Sequence, residues 1–122
     1  MVKGIGTDIL EIIRLKKAIQ RRPRLAERLF SAAELRYCLG KRNPWPHLAV
    51  RFAAKEAVMK ALGIGLGACC WQDIEIIRRP GGKPDLRLHG RALVLAGEKG
   101  ISGWQISLSH SGTVALAVVV AE

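Results

Sequence analysis

Apolar positions recur along this chain in two rhythms, one helical and one alternating, and the longest helical stretch lies in the middle. From Leu48 to Gly65, LAVRFAAKEAVMKALGIG, there is no Gly or Pro before Gly63, and Ala, Leu and Met dominate. That composition predicts a helix, with Gly63 and Gly65 as its stop signal. Wound at about 100° per residue, Val50, Ala54, Val58, Ala61 and Leu62 fall on one side, and Ala49, Phe52, Ala53 and Met59 on the other. A helix apolar on both sides is expected to be buried on both. Glu56 interrupts the second face, between Phe52 and Lys60. A carboxylate held there needs a partner, because an unpaired buried charge is very costly. Two partners are open to it. One is Lys60, a turn further on in the favourable Glu-to-Lys order. The other is a metal ion, which would leave Lys60 free for an anion.

The alternating rhythm appears first in VKGIGTDILEII, Val2 to Ile13, which predicts a strand rich in β-branched residues. On its pleat Asp8 shares a face with Leu10 and Ile12, so a second acid points the way its apolar neighbours point. Alone, Asp8 suits a turn or cap as well as a ligand. Gly4 and Gly6 would let something approach this backbone closely. Arg14 to Arg22 predicts a short helix with Leu15, Ala18 and Ile19 inside and Arg14, Lys17 and Arg21 in a row outside. Pro23 ends it, and Arg24 and Arg28 continue the basic spacing. In FSAAELRYCL, Phe30 to Leu39, Ser31 and Glu34 form a capping-box signature, with Phe30 and Leu35 at the two staple positions. NPWP, Asn43 to Pro46, predicts a turn into the long helix.

Beyond the long helix, DIEIIRR (Asp73 to Arg79) and DLRLH (Asp85 to His89) alternate like strands, joined by PGGKP as a hairpin loop. Arg91 to Lys99 predicts a short helix closed by Gly100. Two further strands, Trp104 to Ser111 and Thr113 to Ala121, meet at a tight turn at Ser111-Gly112. Helices and antiparallel strands intermixed through short links predict an α+β fold, an antiparallel sheet packed with a long central helix and shorter helices. No repeat or low-complexity segment is visible, and 122 residues suit a single domain, residues 1–122.

Charge sharpens this picture. There are 20 Lys and Arg against 10 Asp and Glu, a net charge of +10. The 29 residues from Arg14 to Arg42 hold ten basic residues and two acids, and so carry +8 of that total. Such a field attracts nucleic acid, anionic lipid or an acidic protein. The mean hydropathy, +0.14, is high for so basic a chain and suggests surface covered by further copies. Cys38, Cys69 and Cys70 are odd in number and include no CxxC, which argues against a disulfide framework or a zinc site. No apolar signal core follows Met1, and the longest apolar run, Val114 to Ala121, is too short to span a bilayer. A soluble cytoplasmic protein without a membrane partner is expected.

Two partly buried acids, Asp8 and Glu56, sit on separate elements able to meet. Carboxylates without nearby imidazole or thiolate ligands favour Mg²⁺ or Mn²⁺, which complete their coordination with water and phosphate oxygens. With Lys60, Arg51 and a Gly-rich helix exit, such a pair would suit a diphosphate and phosphoryl transfer. In SLSHS, Ser109 and His110 point to opposite faces of a strand, and GxSxG is absent, so a hydrolase dyad is not expected. His110 follows Ile106 and Leu108 on one face. Trp45, Trp71 and Trp104 could stack bases, but they are not interleaved with the basic run, and packing is the expected role. A basic nucleic-acid- or ribosome-associated module remains the rival class. It accounts for the charge and leaves both acids idle.

Taken together, GIGTDILEI (Gly4 to Ile12), RLFSAAEL (Arg28 to Leu35), RFAAKEAVMKALGIG (Arg51 to Gly65), QDIEI (Gln72 to Ile76), GGKP (Gly81 to Pro84) and SLSHS (Ser107 to Ser111) resemble the holo-acyl-carrier-protein synthases, the small phosphopantetheinyl transferases, in the same order. The resemblance implies transfer of 4′-phosphopantetheine from coenzyme A to a serine of an apo acyl carrier protein, releasing adenosine 3′,5′-bisphosphate. It implies metal binding by Asp8 and Glu56, with Mg²⁺ as the ion. It implies a homotrimer with coenzyme A between neighbouring subunits. On this reading Glu56, Lys60 and His110 are catalytic, and Asp8, Arg51, Lys60, Gly63, Gly65 and His110 contact coenzyme A. Arg14, Lys17, Arg21, Arg24 and Arg28 would dock the acidic carrier, and nucleic acid is not a partner.

Overall fold

The computed structural model describes residues 1–122. Strand β1 (Gly4–Glu11) leads directly into helix α1 (Ile12–Arg21), followed by α2 (Leu25–Leu29), α3 (Ala32–Leu39) and the long α4 (Pro44–Leu62). A turn of 3-10 helix, Trp71–Asp73, precedes the hairpin β2 (Ile74–Arg78) and β3 (Pro84–Leu88), then α5 (Gly90–Glu98), β4 (Trp104–His110) and β5 (Val114–Ala121). The α+β expectation holds. The strands form two antiparallel sheets: β1-β5-β4, and the separate pair β2-β3.

Several boundaries differ from the sequence expectation. The first strand stops at Glu11, and Ile12 and Ile13 belong to α1. Ile12 is thereby buried in a helix, not on the pleat of the strand. The NPWP stretch is the first turn of α4, not a turn leading into it: Asn43 caps the helix by accepting from Trp45 N, with Pro44 at the first helical position. Proline is well suited there, since its missing N–H would have no helical partner. At the other end Gly63, at φ 68°, closes α4 in the left-handed conformation, as the Gly-rich exit predicted.

Helix α4 organises the rest. One side lies on the β1-β5-β4 sheet and the others are covered by α1, α3 and β2, so a helix apolar on both sides is buried on both, with Lys60 alone exposed. Its contact with β1 is main chain against main chain. A Cβ on Gly4 would stand 2.1 Å from Ala61 O, and one on Gly6 1.8 Å from Ala57 O. The element that approaches the glycines is therefore α4 itself. One apolar core lies between α4, the sheet and the β2-β3 pair. A second gathers α1, α2, α3 and the first half of α4 around Phe30, Leu48 and Ile19. The capping box at Ser31 and Glu34 is formed, and Phe30 and Leu35 both join the second core.

The sheet has two unlike faces. Register places Gly6, Asp8 and Leu10 of β1 in rows with Val119, Ala117 and Ala115 of β5 and with Ile106, Leu108 and His110 of β4, all toward α4. The opposite face presents Ile5, Ile9 and Leu116 to the exterior, beside half-buried Val118 and Val120.

Candidate functional site

Asp8 and Glu56 do meet. The close packing of β1 on α4 sets Asp8, its side chain 10% exposed, beside the second half of the helix. Glu56 lies within hydrogen-bonding range of it. Burial, then the charge and hydrogen bond of Asp8, push the Glu56 pKa up to about 7, while Lys60 works in the opposite direction. Two carboxylates at this range cannot both ionise without cost, so one takes a proton or both share a cation. Asp8 Oδ2 is buried and no fixed donor of the chain reaches it.

Lys60 answers neither sequence alternative. It is not paired to Glu56 and it is not free: its Nζ lies 3.2 Å from Asp8 Oδ1 and 2.9 Å from Thr7 O. Most of its side chain remains exposed, so it borders the site.

Two cavities open on Glu56, and the larger is lined by Asp8 as well. The larger, of about 470 Å³, is lined mainly by apolar side chains, among them Ile9, Leu29, Phe52 and Trp71, and also by Arg14. The smaller, of about 250 Å³, runs past Met59, Lys60, Ile64 and Gly65. Gly65 therefore lines a cavity beside the acids, whereas Gly63 serves to end the helix. Arg14, Lys17, Arg21, Arg24 and Arg28 are all exposed, from α1 to α2, and Arg14 lines the larger cavity.

His110 is not part of this arrangement. It ends β4 in register with Ala115 and Leu10, whereas Asp8 is in register with Ala117 and Leu108. Two strand spacings and two residues of rise put the backbones of Asp8 and His110 roughly 12 Å apart. The neighbour of His110 is His47, ring centroids 5.9 Å apart. His47 lies nine residues before Glu56 on α4, about 14 Å along the axis.

Around His47 a second constellation collects positive charge. Arg51 is 4% exposed and donates from Nη1 to His47 O at 3.0 Å, while its Nε is buried without a partner. Its guanidinium carbon stands 4.5 Å from the Tyr37 ring, which Lys41 Nζ approaches to 4.6 Å and Arg78 to 5.2 Å. Arg78 Nη1 also donates to Tyr37 Oη at 2.6 Å. Burial, then Arg51 and His110, hold the His47 pKa below the usual histidine range. Cations concentrated in this way, with a buried donor left over, make a place for an anion. Sequence reasoning named Arg51 and His110 but missed His47, Tyr37, Lys41 and Arg78. The only available signal was the four-residue spacing from His47 to Arg51, which puts both on one helix face.

The metal expectation can be tested against the donors present. Asp8 and Glu56 offer hard carboxylate oxygens, one of them buried and unsatisfied, and this suits Mg²⁺ or Mn²⁺. No group of three or more His, Cys, Asp or Glu side chains gathers anywhere in the chain, so the protein would supply two carboxylates and leave the other positions to water or a bound phosphate. No helix is long and apolar enough to cross a membrane.

Residues 4–119 match the profile of the 4′-phosphopantetheinyl transferase superfamily. A holo-[acyl-carrier-protein] synthase of Moorella thermoacetica is 56% identical over 117 residues, covering 96% of this chain and 91% of that protein. The chain belongs to the holo-[acyl-carrier-protein] synthase family. Its fold agrees. The crystal structure of the holo-[acyl-carrier-protein] synthase from Neisseria meningitidis superposes with a TM-score of 0.91 at 36% identity, covering 100% of this chain and 99% of that one. The Helicobacter pylori holo-[acyl-carrier-protein] synthase, solved in complex with coenzyme A, gives a TM-score of 0.85 at 33% identity over 97% of this chain and 99% of that one. As a member of the holo-[acyl-carrier-protein] synthase family, this protein is a phosphopantetheinyl transferase.

Proposed function

We propose that this protein transfers 4′-phosphopantetheine from coenzyme A to a serine of an apo acyl carrier protein and releases adenosine 3′,5′-bisphosphate. The observation that carries the reading is the Asp8–Glu56 carboxyl pair, with an unsatisfied buried oxygen, on the wall of a mostly apolar cavity. A diphosphate at the pair and a pantetheine arm in the cavity match that change from charged to apolar lining. Asp8 and Glu56 would hold Mg²⁺, and a bound divalent ion would offset charge on the diphosphate as the bond to the leaving group breaks. Lys60, already at the rim on Asp8, supplies a further cation to the same oxygens. On this reading Glu56, beside the diphosphate, would also accept the proton of the attacking serine.

His47 and His110 stand far from the acid pair in one chain, and Arg51 is engaged with His47 O and Tyr37 on their side. On our reading they take a phosphate of a coenzyme A held mainly by the acids of a neighbouring subunit. A homotrimer with shared sites is supported by the exposed apolar face of the β1-β5-β4 sheet, where Ile5 and Ile9 are 62% and 66% exposed. The exposed basic row on α1 and α2 starts at Arg14, which lines the cavity beside the acids, and its charge suits an acidic carrier.

The test is incubation with coenzyme A, Mg²⁺ and apo carrier, followed by the mass of the carrier. The carrier should gain one phosphopantetheine, and Glu56→Gln should abolish the gain while leaving the circular dichroism unchanged. Full activity of that variant with Mg²⁺ would refute the role given to the acid pair.

A further inference from the structure

Glu34 completes the capping box of α3, but its carboxylate also reaches into the core. Its Oε1 lies 2.8 Å from Lys55 Nζ, and both side chains are 0% exposed. Lys55 Nζ also donates to Trp71 O at 3.0 Å and to Ile74 O at 2.6 Å. An ammonium has three protons, and these three acceptors use all of them. Glu34 is used as fully: Oε1 accepts from Ser31 N at 2.7 Å, and Oε2 from Ile76 N at 2.8 Å. Burial pushes the Lys55 pKa down and the carboxylate of Glu34 pulls it back up. A buried ion pair is weak evidence for stability by itself, because an apolar pair of similar volume often serves as well. An apolar pair could not, however, hold two main-chain carbonyls at fixed points.

Those carbonyls matter because of where Trp71 stands. It follows the segment 63–70, which contains Gly63, Gly65 and Gly67 and has few ties of its own. Its ring lies 5.0 Å from that of Phe52 and walls both cavities that open on Glu56. Lys55 is the residue immediately before Glu56 on α4. We infer that Lys55, held by Glu34, is a positioning residue: it pins the main chain at Trp71 and Ile74 and so fixes the indole as the wall of the groove that takes the coenzyme A arm. This rests on the coenzyme A reading of the site.

Lys55→Met alone would strand a carboxylate in the core, so the informative protein carries Lys55→Met and Glu34→Gln together. Gln still suits the third position of a capping box and keeps one of the two backbone bonds that the carboxylate accepts from Ser31 N and Ile76 N. The paired variant is expected to keep the circular dichroism of the parent. The hydrogen-bonded amides of Ala68, Cys70 and Asp73 should exchange about tenfold faster while those of α4 do not. In the transfer assay the Michaelis constant for coenzyme A should rise about tenfold with kcat within about threefold of the parent, and Trp71→Ala should reproduce that rise. Unfolding of the paired variant would make the pair a stability element and overturn the inference. Parental exchange, or faster exchange with an unchanged Michaelis constant, would overturn it as well. If the parent itself transfers nothing from coenzyme A, the reaction reading fails, and the exchange rates alone decide whether the clamp exists.

Discussion

Lys60 donates to Asp8 across 3.2 Å, although Glu56 stands one turn behind it on the same helix. The cation thus ties α4 to β1 and leaves Glu56 beside a second acid with no ion-pair partner of its own.

That arrangement fixes the sign of a pH effect. In chelator, folded Glu56 keeps its proton up to about pH 7, whereas an unfolded glutamate releases it near about 4.3. Between these values the folded state binds the extra proton, so this group's contribution to stability falls as pH rises and levels off above the window. His47, held below the usual histidine range, contributes the opposite slope. The quantity to read is therefore the difference between the parent and Glu56→Gln in urea midpoint at each pH. The parent should lose ground to the variant as pH rises, and a difference independent of pH would exclude the shared proton.

Divalent cations should compete for the same place. Mg²⁺ or Mn²⁺ binding only to the folded chain would stabilise it by about 2.7 kcal/mol at a hundred times the dissociation constant. Since the ion displaces the proton on Glu56, its affinity should climb with pH through neutrality. Asp8→Asn and Glu56→Gln should each remove the gain in melting temperature. A gain of equal size in both variants would place the ion elsewhere.

At Gly6 the prediction concerns the fold. A methyl group there meets Ala57 O at 1.8 Å, and the obstacle is main chain, which has little room to give. Gly6→Ala should cost about 3 kcal/mol or more, at the upper end of overpacking effects. Urea unfolding gives the number, and a cost below that of an ordinary surface substitution would contradict the contact.

Charge reversal on α1 addresses the carrier. Lys17→Glu with Arg21→Glu, neither of which lines the cavity beside the acids, should raise the Michaelis constant for the carrier, leave that for coenzyme A in place, and reduce the salt dependence seen in the parent. A parent whose Michaelis constant for the carrier ignores salt would remove the reason for this docking face.

Much of this was legible from residue order, and what was not has physical causes. The two-sided apolar pattern of Val50 to Leu62 and the glycine stop marked α4, and Gly4 and Gly6 announced a close approach. The start of α4 was missed because Pro44 and Pro46 look like turn residues until Asn43 is seen to cap them. The pairing of Lys60 with Asp8 was hidden because a partner one turn away on the same helix competes with one across the fold. Lys55 left no trace in the pattern at all: its carboxylate is 21 residues upstream and its other acceptors are backbone carbonyls. His110 was recognised by its motif, but only the strand register revealed how far it lies from the acids.

The distance between His110 and the Asp8–Glu56 pair has a genetic consequence. If each reaction centre borrows one half from an adjoining copy, two crippled chains can mend one another. Glu56→Gln and His110→Ala, each inert alone, would regain activity when co-assembled, with roughly a quarter of the centres receiving two sound halves from a random equal mixture. A defect in one copy of such an enzyme would then be partly masked by the company it keeps.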